Sequence, residues 1–305
     1  MDETFRRAGR RLDLGLALKN EGDFAGAREA ARAACDLAPG WADAWFVLAE
    51  SCEQLGANGE AASAYRRCLE IDPSDRFGAA ARLAMIGMAA IPDRLPPAYV
   101  AALFDGTAAR FEESLLGRLD YRAPSLLYEA VTNHRDRLPA PLAILDLGCG
   151  TGLAGQVFRP LAQRLDGIDL SSRMIAEAAR KKIYDNLGIG DLLDSPDPTA
   201  PRYDLVVAAD VFNYLGNLAP AFAAATARLR LGGMLAFTIE EGATAPFDLG
   251  PGQRYRHHPA AVRADLNAAG FRMLDDREAL LRLERREPVR GRILLATREP
   301  DIRPA

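Results

Sequence analysis

One short run constrains this chain more than any other: Leu142-Ala-Ile-Leu-Asp-Leu147, then Gly148-Cys149-Gly150-Thr151-Gly152. Six mostly apolar residues predict a buried strand. Three glycines at alternate positions predict a turn whose backbone comes close to something else, because no Cβ stands in the way. From Leu153 the pattern becomes helical. A strand, a glycine turn and a helix in that order open a βαβ unit and aim helix N–H groups at a ligand. A dinucleotide-binding GxGxxG is excluded, because position 153 is Leu and the spacing reads DxGxGxG.

The alternation continues downstream. RLDGIDL, LGIGD, YDLVVAAD and MLAFTIEE predict four more strands, with helices from about 172 to 182 and from 219 to 230. A helix over 259–269 precedes two late strands, FRMLDDREALLRLE and GRILLATRE. The expected fold is an α/β sheet, mostly parallel, with one late antiparallel strand.

The front of the chain has a different texture. A shift of 34 residues aligns Leu14 with Leu48, Gly22 with Gly56, Ala27 with Ala61 and Pro39 with Pro73. Small Ala27 and Ala61 let helices approach closely. The glycines serve turns, and the prolines stop the second helix of each pair. This pattern resembles the tetratricopeptide repeat. A generic pair of helical hairpins would use the same residues. Two repeats fall short of the three or so a free-standing stack needs, so a helix over 76–90 is expected to act as cap. Such repeats bind proteins, cover sites or form dimer surfaces.

At 305 residues the chain exceeds the roughly 100–150 of a typical domain. The expected division is 1–90 for the helical repeats, 91–141 for a linker (IPDRLPP) and the helices before the glycine turn, and 142–305 for the sheet. The net charge of −4 argues against a dedicated nucleic-acid binder. No apolar run reaches the ~20 residues of a membrane-spanning helix. The four cysteines, at 35, 52, 68 and 149, have no metal-ligand spacing. A cytoplasmic protein without a metal site is expected.

The glycine run resembles motif I of the class I S-adenosylmethionine-dependent methyltransferases, and its partners follow in family order. Asp169 ends the second strand, where a carboxylate accepts ribose hydroxyls. Leu170 and Met174 match the residues set against adenine. Gly190-Asp191-Leu192 matches the third motif, and Tyr203–Asp210 the fourth. Gly232-Gly233 matches the turn before the fifth strand. Upstream, Phe104-Asp-Gly-Thr-Ala-Ala-Arg110-Phe111-Glu112 resembles the YDxxAxxYD segment whose aromatics close over the cofactor. Plainer uses exist. Asp169 and Asp191 can cap helices, Met174 can fill a core, and Arg110 can be a solvated surface residue.

The resemblance implies S-adenosylmethionine as cofactor, with S-adenosylhomocysteine as product. It implies a site made by Phe104, Arg110, Phe111, Asp146, Gly148, Cys149, Gly150, Gly152, Asp169, Leu170, Met174, Gly190, Asp191, Leu192 and Asp210. The acceptor is expected beside the loop after Asp210, against Phe111, Asn213, Tyr214, Arg254, Tyr255 and His257. Two of the three histidines lie in Gln253–His258. His257 and Tyr255 are therefore the expected catalytic pair, since an imidazole near neutral pKa suits proton removal. The prolines of an Asn-Pro-Pro-Tyr tetrad are missing after the fourth strand, which disfavours DNA and protein-glutamine substrates.

The expected reaction is methyl transfer to an O or N atom of a small molecule. The alternatives are a protein methyltransferase whose repeats dock the substrate, and a scaffold without activity. The whole order of parts resembles bacterial tetratricopeptide-containing predicted methyltransferases grouped with trans-aconitate methyltransferases.

Overall fold

Alanine and glycine decide how the first 99 residues pack. In the computed structural model, which describes residues 3–113, 121–197, 199–284 and 287–300, four helices run antiparallel in two hairpins: α1 (Glu3–Glu21) with α2 (Phe24–Leu37), and α3 (Ala42–Gln54) with α4 (Asn58–Ile71). Ala27, Ala31, Ala49 and Ala61 are fully enclosed between them. Gly22 and Gly56 make the hairpin turns with φ of +85° and +71°, where a side chain would be strained. A fifth helix, α5 (Ala79–Met85), is shorter than the 76–90 expected from sequence. Asp75 accepts the N–H groups of Ala79 and Ala80 at 2.7 and 3.0 Å and fixes its start. Gly87, at φ +73°, stops it.

The chain divides into two compact units, Met1–Tyr99 and Val100–Ala305. Residues 114–120 of the expected 91–141 segment lie outside the described residues. The second unit begins on α6 (Pro97–Thr107) and α7 (Ala123–Thr132). It continues with β1 (Leu142–Leu147), α8 (Leu153–Phe158), β2 (Ala162–Asp169), α9 (Ser172–Arg180), β3 (Asn186–Ile189) and β4 (Tyr203–Ala208). Then come α10 (Ala219–Arg228), β5 (Leu229–Glu240), β6 (Phe247–Gly250), β7 (Arg254–His257), α11 (Pro259–Ala268), β8 (Phe271–Glu284) and β9 (Glu287–Arg298).

Seven strands form one sheet in the order β3-β2-β1-β4-β5-β9-β8, with β9 antiparallel to both neighbours and the rest parallel. The expected fold class is what the chain adopts. Alternation along β1 splits the core: Leu142 and Ile144 pack on one face, Leu145 and Leu147 on the other. Strand order reverses direction between β1 and β4, which leaves a crevice beyond their carboxyl ends.

Two elements depart from the sequence reading. β5 begins at Leu229, so Gly232-Gly233 lie inside the strand, at a shift in its register with β4. Residues 247–257, expected as a loop, form an antiparallel β6–β7 hairpin in which Phe247 pairs with His257 and Leu249 with Tyr255.

One face of the sheet is built around Phe212, Phe222 and Phe237, with ring centroids 5.1–5.9 Å apart. Phe212 is fully buried. Phe212→Ala should therefore cost about 3–5 kcal/mol of stability, measured by urea denaturation. A loss below about 1 kcal/mol would contradict this packing.

Candidate functional site

Gly148, Gly150 and Gly152 all have positive φ: +64°, +53° and +92°. A Cβ on Gly148 would also collide with Val211 Cγ2 at 2.7 Å, so this position needs glycine for space as well as conformation. A Cβ on Gly150 would meet only Phe111 Cε1, at 3.9 Å. The space above Gly150 is therefore open to a ligand and roofed by an aromatic ring.

Asp169 ends β2 and organises this turn. Its Oδ2 accepts the Gly150 N–H at 2.8 Å, and its Oδ1 accepts the Ser171 N–H at 2.8 Å. Each oxygen keeps a second lone pair. Burial raises the Asp169 pKa, partly offset by these N–H donors. The Asp169 carbonyl accepts from Gly190 N–H at 3.0 Å, which brings the end of β3 alongside. Asp191 closes the next turn by accepting the Leu193 N–H at 2.9 Å. Leu192 packs its side chain against the core.

The segment before β1 lies over the turn. Phe104 meets Phe111 edge to face at 5.9 Å and Tyr214 at 5.3 Å. Asp105 anchors the row, accepting the Ser171 hydroxyl at 2.5 Å and the Arg173 N–H at 3.1 Å. Lys181 pairs with Glu112 at 2.5 Å and donates to Gln156 at 2.9 Å. An unbroken line of rings thus runs from Gly150 to the loop after β4.

At the far end of that line sits a buried ionic cluster. Arg282, on β8, donates to Asp210 Oδ2 at 2.9 Å and to Glu240 Oε1 at 2.6 Å. Its side chain is 3% exposed. Arg254 donates to the same Glu240 oxygen at 2.6 Å and to the Tyr214 hydroxyl at 3.2 Å. The Asn213 amide, turned to satisfy its neighbours, donates to the Asp210 carbonyl at 2.9 Å and accepts from Arg254. Asp210 itself has φ +60°, uncommon for a residue with a Cβ, and its N–H donates to Thr238 Oγ1 at 2.9 Å. Two arginines here face the buried carboxylates of Asp210 and Glu240, and Arg282 also pairs with the more exposed Glu284 at 3.5 Å.

Residues 145–235 match the model of a methyltransferase domain, and residues 12–76 match that of the tetratricopeptide repeat. The stretch from β1 to β5 is thus similar in sequence to methyltransferase domains. Among curated relatives, the malonyl-[acyl-carrier protein] O-methyltransferase of Halalkalibacterium halodurans is 30% identical over 178 residues, 56% of this chain and 60% of the relative. The enzyme of the same name from Enterobacter lignolyticus is 35% identical over 104 residues, 33% of this chain and 41% of the relative. The chain spans about 60% or less of the length of these two relatives. Among solved structures, an S-adenosylmethionine-dependent methyltransferase from Clostridium acetobutylicum ATCC 824 superposes with a TM-score of 0.49. It is 18% identical and covers 64% of this chain and 99% of that one.

S-adenosylmethionine is the cofactor that the glycine-turn resemblance implies, and the residues present fit it. Three left-handed glycines clear the strand end, a carboxylate with spare lone pairs stands beside them, and aromatic rings cover them. Of the expected cofactor residues, the structure brings together Phe104, Phe111, Gly148, Gly150, Gly152, Asp169, Gly190, Asp191 and Leu192. Leu170 is half-buried just after Asp169.

Some residues are placed otherwise. Met174 is fully enclosed, and its N–H donates to Ser171 Oγ at 3.0 Å, so its side chain offers no free face to adenine. Cys149 is buried, which pushes its thiol pKa up; its main chain, whose N–H donates to Ile168 O at 3.0 Å, is what shapes the turn. Arg110 is exposed at the surface. Asp146 is 2% exposed beneath the turn.

The structure places the expected catalytic pair, Tyr255 and His257, in packing positions. Tyr255 is fully buried against Phe247, with ring centroids 5.6 Å apart. His257 is 2% exposed, and its Nε2 lies 2.8 Å from Leu215 O and 3.2 Å from Gly216 O. Nε2, set between two carbonyls, carries the proton, which leaves the lone pair on Nδ1. Nδ1 is buried without a hydrogen-bond partner among the described residues. Burial lowers the His257 pKa. Both residues hold the β6–β7 hairpin against the loop after β4. Asn213 and Arg254 of the expected acceptor set are likewise engaged in the ionic cluster, while Tyr214 and Phe111 line the aromatic row.

Three residues were missed. Tyr121, whose hydroxyl lies 3.4 Å from Ala209 O beside Asp210, is outside every motif. Tyr184 donates to Asp146 Oδ2 at 2.7 Å. Arg282 stands among several arginines of a late strand, and only strand pairing marks it. Removing one partner from a buried ion pair leaves uncompensated charge, so Arg282→Ala should destabilise the fold by about 3–5 kcal/mol. Burial alone would raise the Glu240 pKa; Arg254 and Arg282 reverse that and lower it. Such a group stabilises the fold above its unfolded pKa of about 4.3 and loses that contribution as pH falls through its folded value. Denaturation of both proteins should show the gap between wild type and Arg282→Ala narrowing below about pH 4. An unchanged gap would contradict the cluster.

Proposed function

We propose that this chain is an S-adenosylmethionine-dependent methyltransferase that moves a methyl group to an O or N atom of a small-molecule acceptor. The observation that carries the reading is the Gly150–Asp169 hydrogen bond beneath Phe111, at the carboxyl edge of β1 and β2. The bound cofactor supplies an electrophilic methyl group on a positive sulfur.

The chain's own residues then have three tasks. Asp169 accepts hydroxyl donors with its remaining lone pairs, and the glycines admit the ligand to the strand end. Phe104 and Phe111 exclude water and offer ring faces to a cation. Asp210, held by Arg282, is a fixed carboxylate that accepts a hydrogen bond from an acceptor O–H or N–H. Catalysis of this kind is mainly alignment of donor and acceptor. Among described residues no group of His, Cys, Asp and Glu is arranged to hold a metal ion.

An oxygen acceptor is consistent with the names of the malonyl-[acyl-carrier protein] O-methyltransferases, which are this chain's relatives over part of their length. A relative from Dechloromonas aromatica, 40% identical over 96 residues, is named for ribosomal protein L11. The acceptor class is therefore tested directly. The chain is incubated with a fractionated lysate and cofactor labelled in its methyl group. Label in the metabolite fraction supports a small acceptor; label confined to protein overturns that part of the proposal.

Asp169→Ala should weaken S-adenosylmethionine binding by about 1.5–3 kcal/mol, the usual value of a hydrogen bond to a charged group. Calorimetry on the folded variant measures it. Unchanged affinity would contradict the assignment of Asp169.

A further inference from the structure

Tyr184 stands in the turn between α9 and β3 and belongs to none of the motif segments. Its ring fills the space beneath the glycine turn. A Cβ on Gly152 would come within 3.0 Å of the ring, and one on Gly155 would overlap it. A Cβ on Gly167, in β2, would also meet it at 3.0 Å. Three glycines from two elements are thus glycine around one side chain. The turn that carries Tyr184 is itself fixed. Asp185 accepts the Leu165 N–H at 2.7 Å and pairs with Arg159 at 2.7 Å.

The Tyr184 hydroxyl donates to Asp146 Oδ2 at 2.7 Å, and Asp146 is 2% exposed. No other side-chain donor reaches that carboxylate among the described residues. We propose that Tyr184 is the positioning residue of the cofactor pocket, holding the Asp146 carboxylate and the 148–155 turn in the shape that binds S-adenosylmethionine. This rests on the cofactor reading given above.

The electrostatics supply a signature. Burial raises the Asp146 pKa to about 7, and the Tyr184 hydroxyl opposes that rise. The other titratable groups acting with Asp146 are Asp169, Cys149 and Tyr121, none of them a cation. A ligand bearing an ammonium group favours the ionised carboxylate. Affinity therefore falls as pH drops through the Asp146 titration, and removing the hydroxyl moves that fall to higher pH.

The test uses the full chain and S-adenosylhomocysteine, titrated calorimetrically between about pH 6 and 9, with circular dichroism to check the fold. Tyr184→Phe, which keeps the ring, should bind roughly tenfold more weakly at neutral pH and show its pH midpoint displaced upward. Asp146→Asn, which keeps Tyr184, should flatten the profile, and the double variant should be no weaker than the weaker single one. Wild-type affinity and an unshifted profile in Tyr184→Phe would reduce Tyr184 to packing and overturn the proposal. Should Tyr184→Phe not fold, a pH profile in Asp146→Asn like that of the wild type would overturn it equally. Failure of the wild type to bind S-adenosylhomocysteine at any pH would overturn the cofactor reading itself.

Discussion

One side-chain hydrogen bond, from the Gly150 N–H to the Asp169 carboxylate, ties together the two strand ends on which the site depends. It links the turn after β1 to the end of β2. For the bond to form, Gly148, Gly150 and Gly152 must all take left-handed backbone angles, and β1 and β2 must pair in one register. The parallel pairing of Leu147 with Ile168 sets that register. A slip of one residue would turn Asp169 to the other face of the sheet.

Outward from that bond, the site is arranged by polarity. Aromatic rings cover the glycine turn, and charged groups lie beyond them. Placing two arginines and two carboxylates in a buried cluster is costly unless each is matched. Here Arg282 and Arg254 share Glu240, and Arg282 also reaches Asp210. The left-handed backbone of Asp210 is held by Thr238, Arg282 and Asn213. Strained backbone at a site persists only where neighbours over-determine it, and these three do so.

The part of this arrangement that is local in sequence was legible. Gly148 to Gly152 and Asp169 are read from strand-end positions, because glycine and acidic residues there follow from φ and from main-chain donors. The 34-residue period was legible for the same reason, since Ala27 and Ala61 repeat one steric requirement. The burial of His257 was not legible, because a histidine near a strand end carries the same letters whether its nitrogens face solvent or two carbonyls. Only the pairing of Phe247 with His257 in a hairpin decides that, and pairing between strands is not periodic information. Arg282 and Tyr184 were illegible on the same ground. Their partners lie 72 and 38 residues away in sequence, brought together by sheet order alone.

The central claim is that the turn after β1, Asp169 and the Phe104–Phe111 segment form one cofactor site. Amide hydrogen exchange with and without S-adenosylhomocysteine tests it most directly, because it reports each segment separately. Slowed exchange confined to residues 104–113, 148–152, 169–174 and 190–193 is the result this account predicts. Protection absent from 148–152 and 169–171, or appearing instead in the helices of residues 3–71, would contradict it.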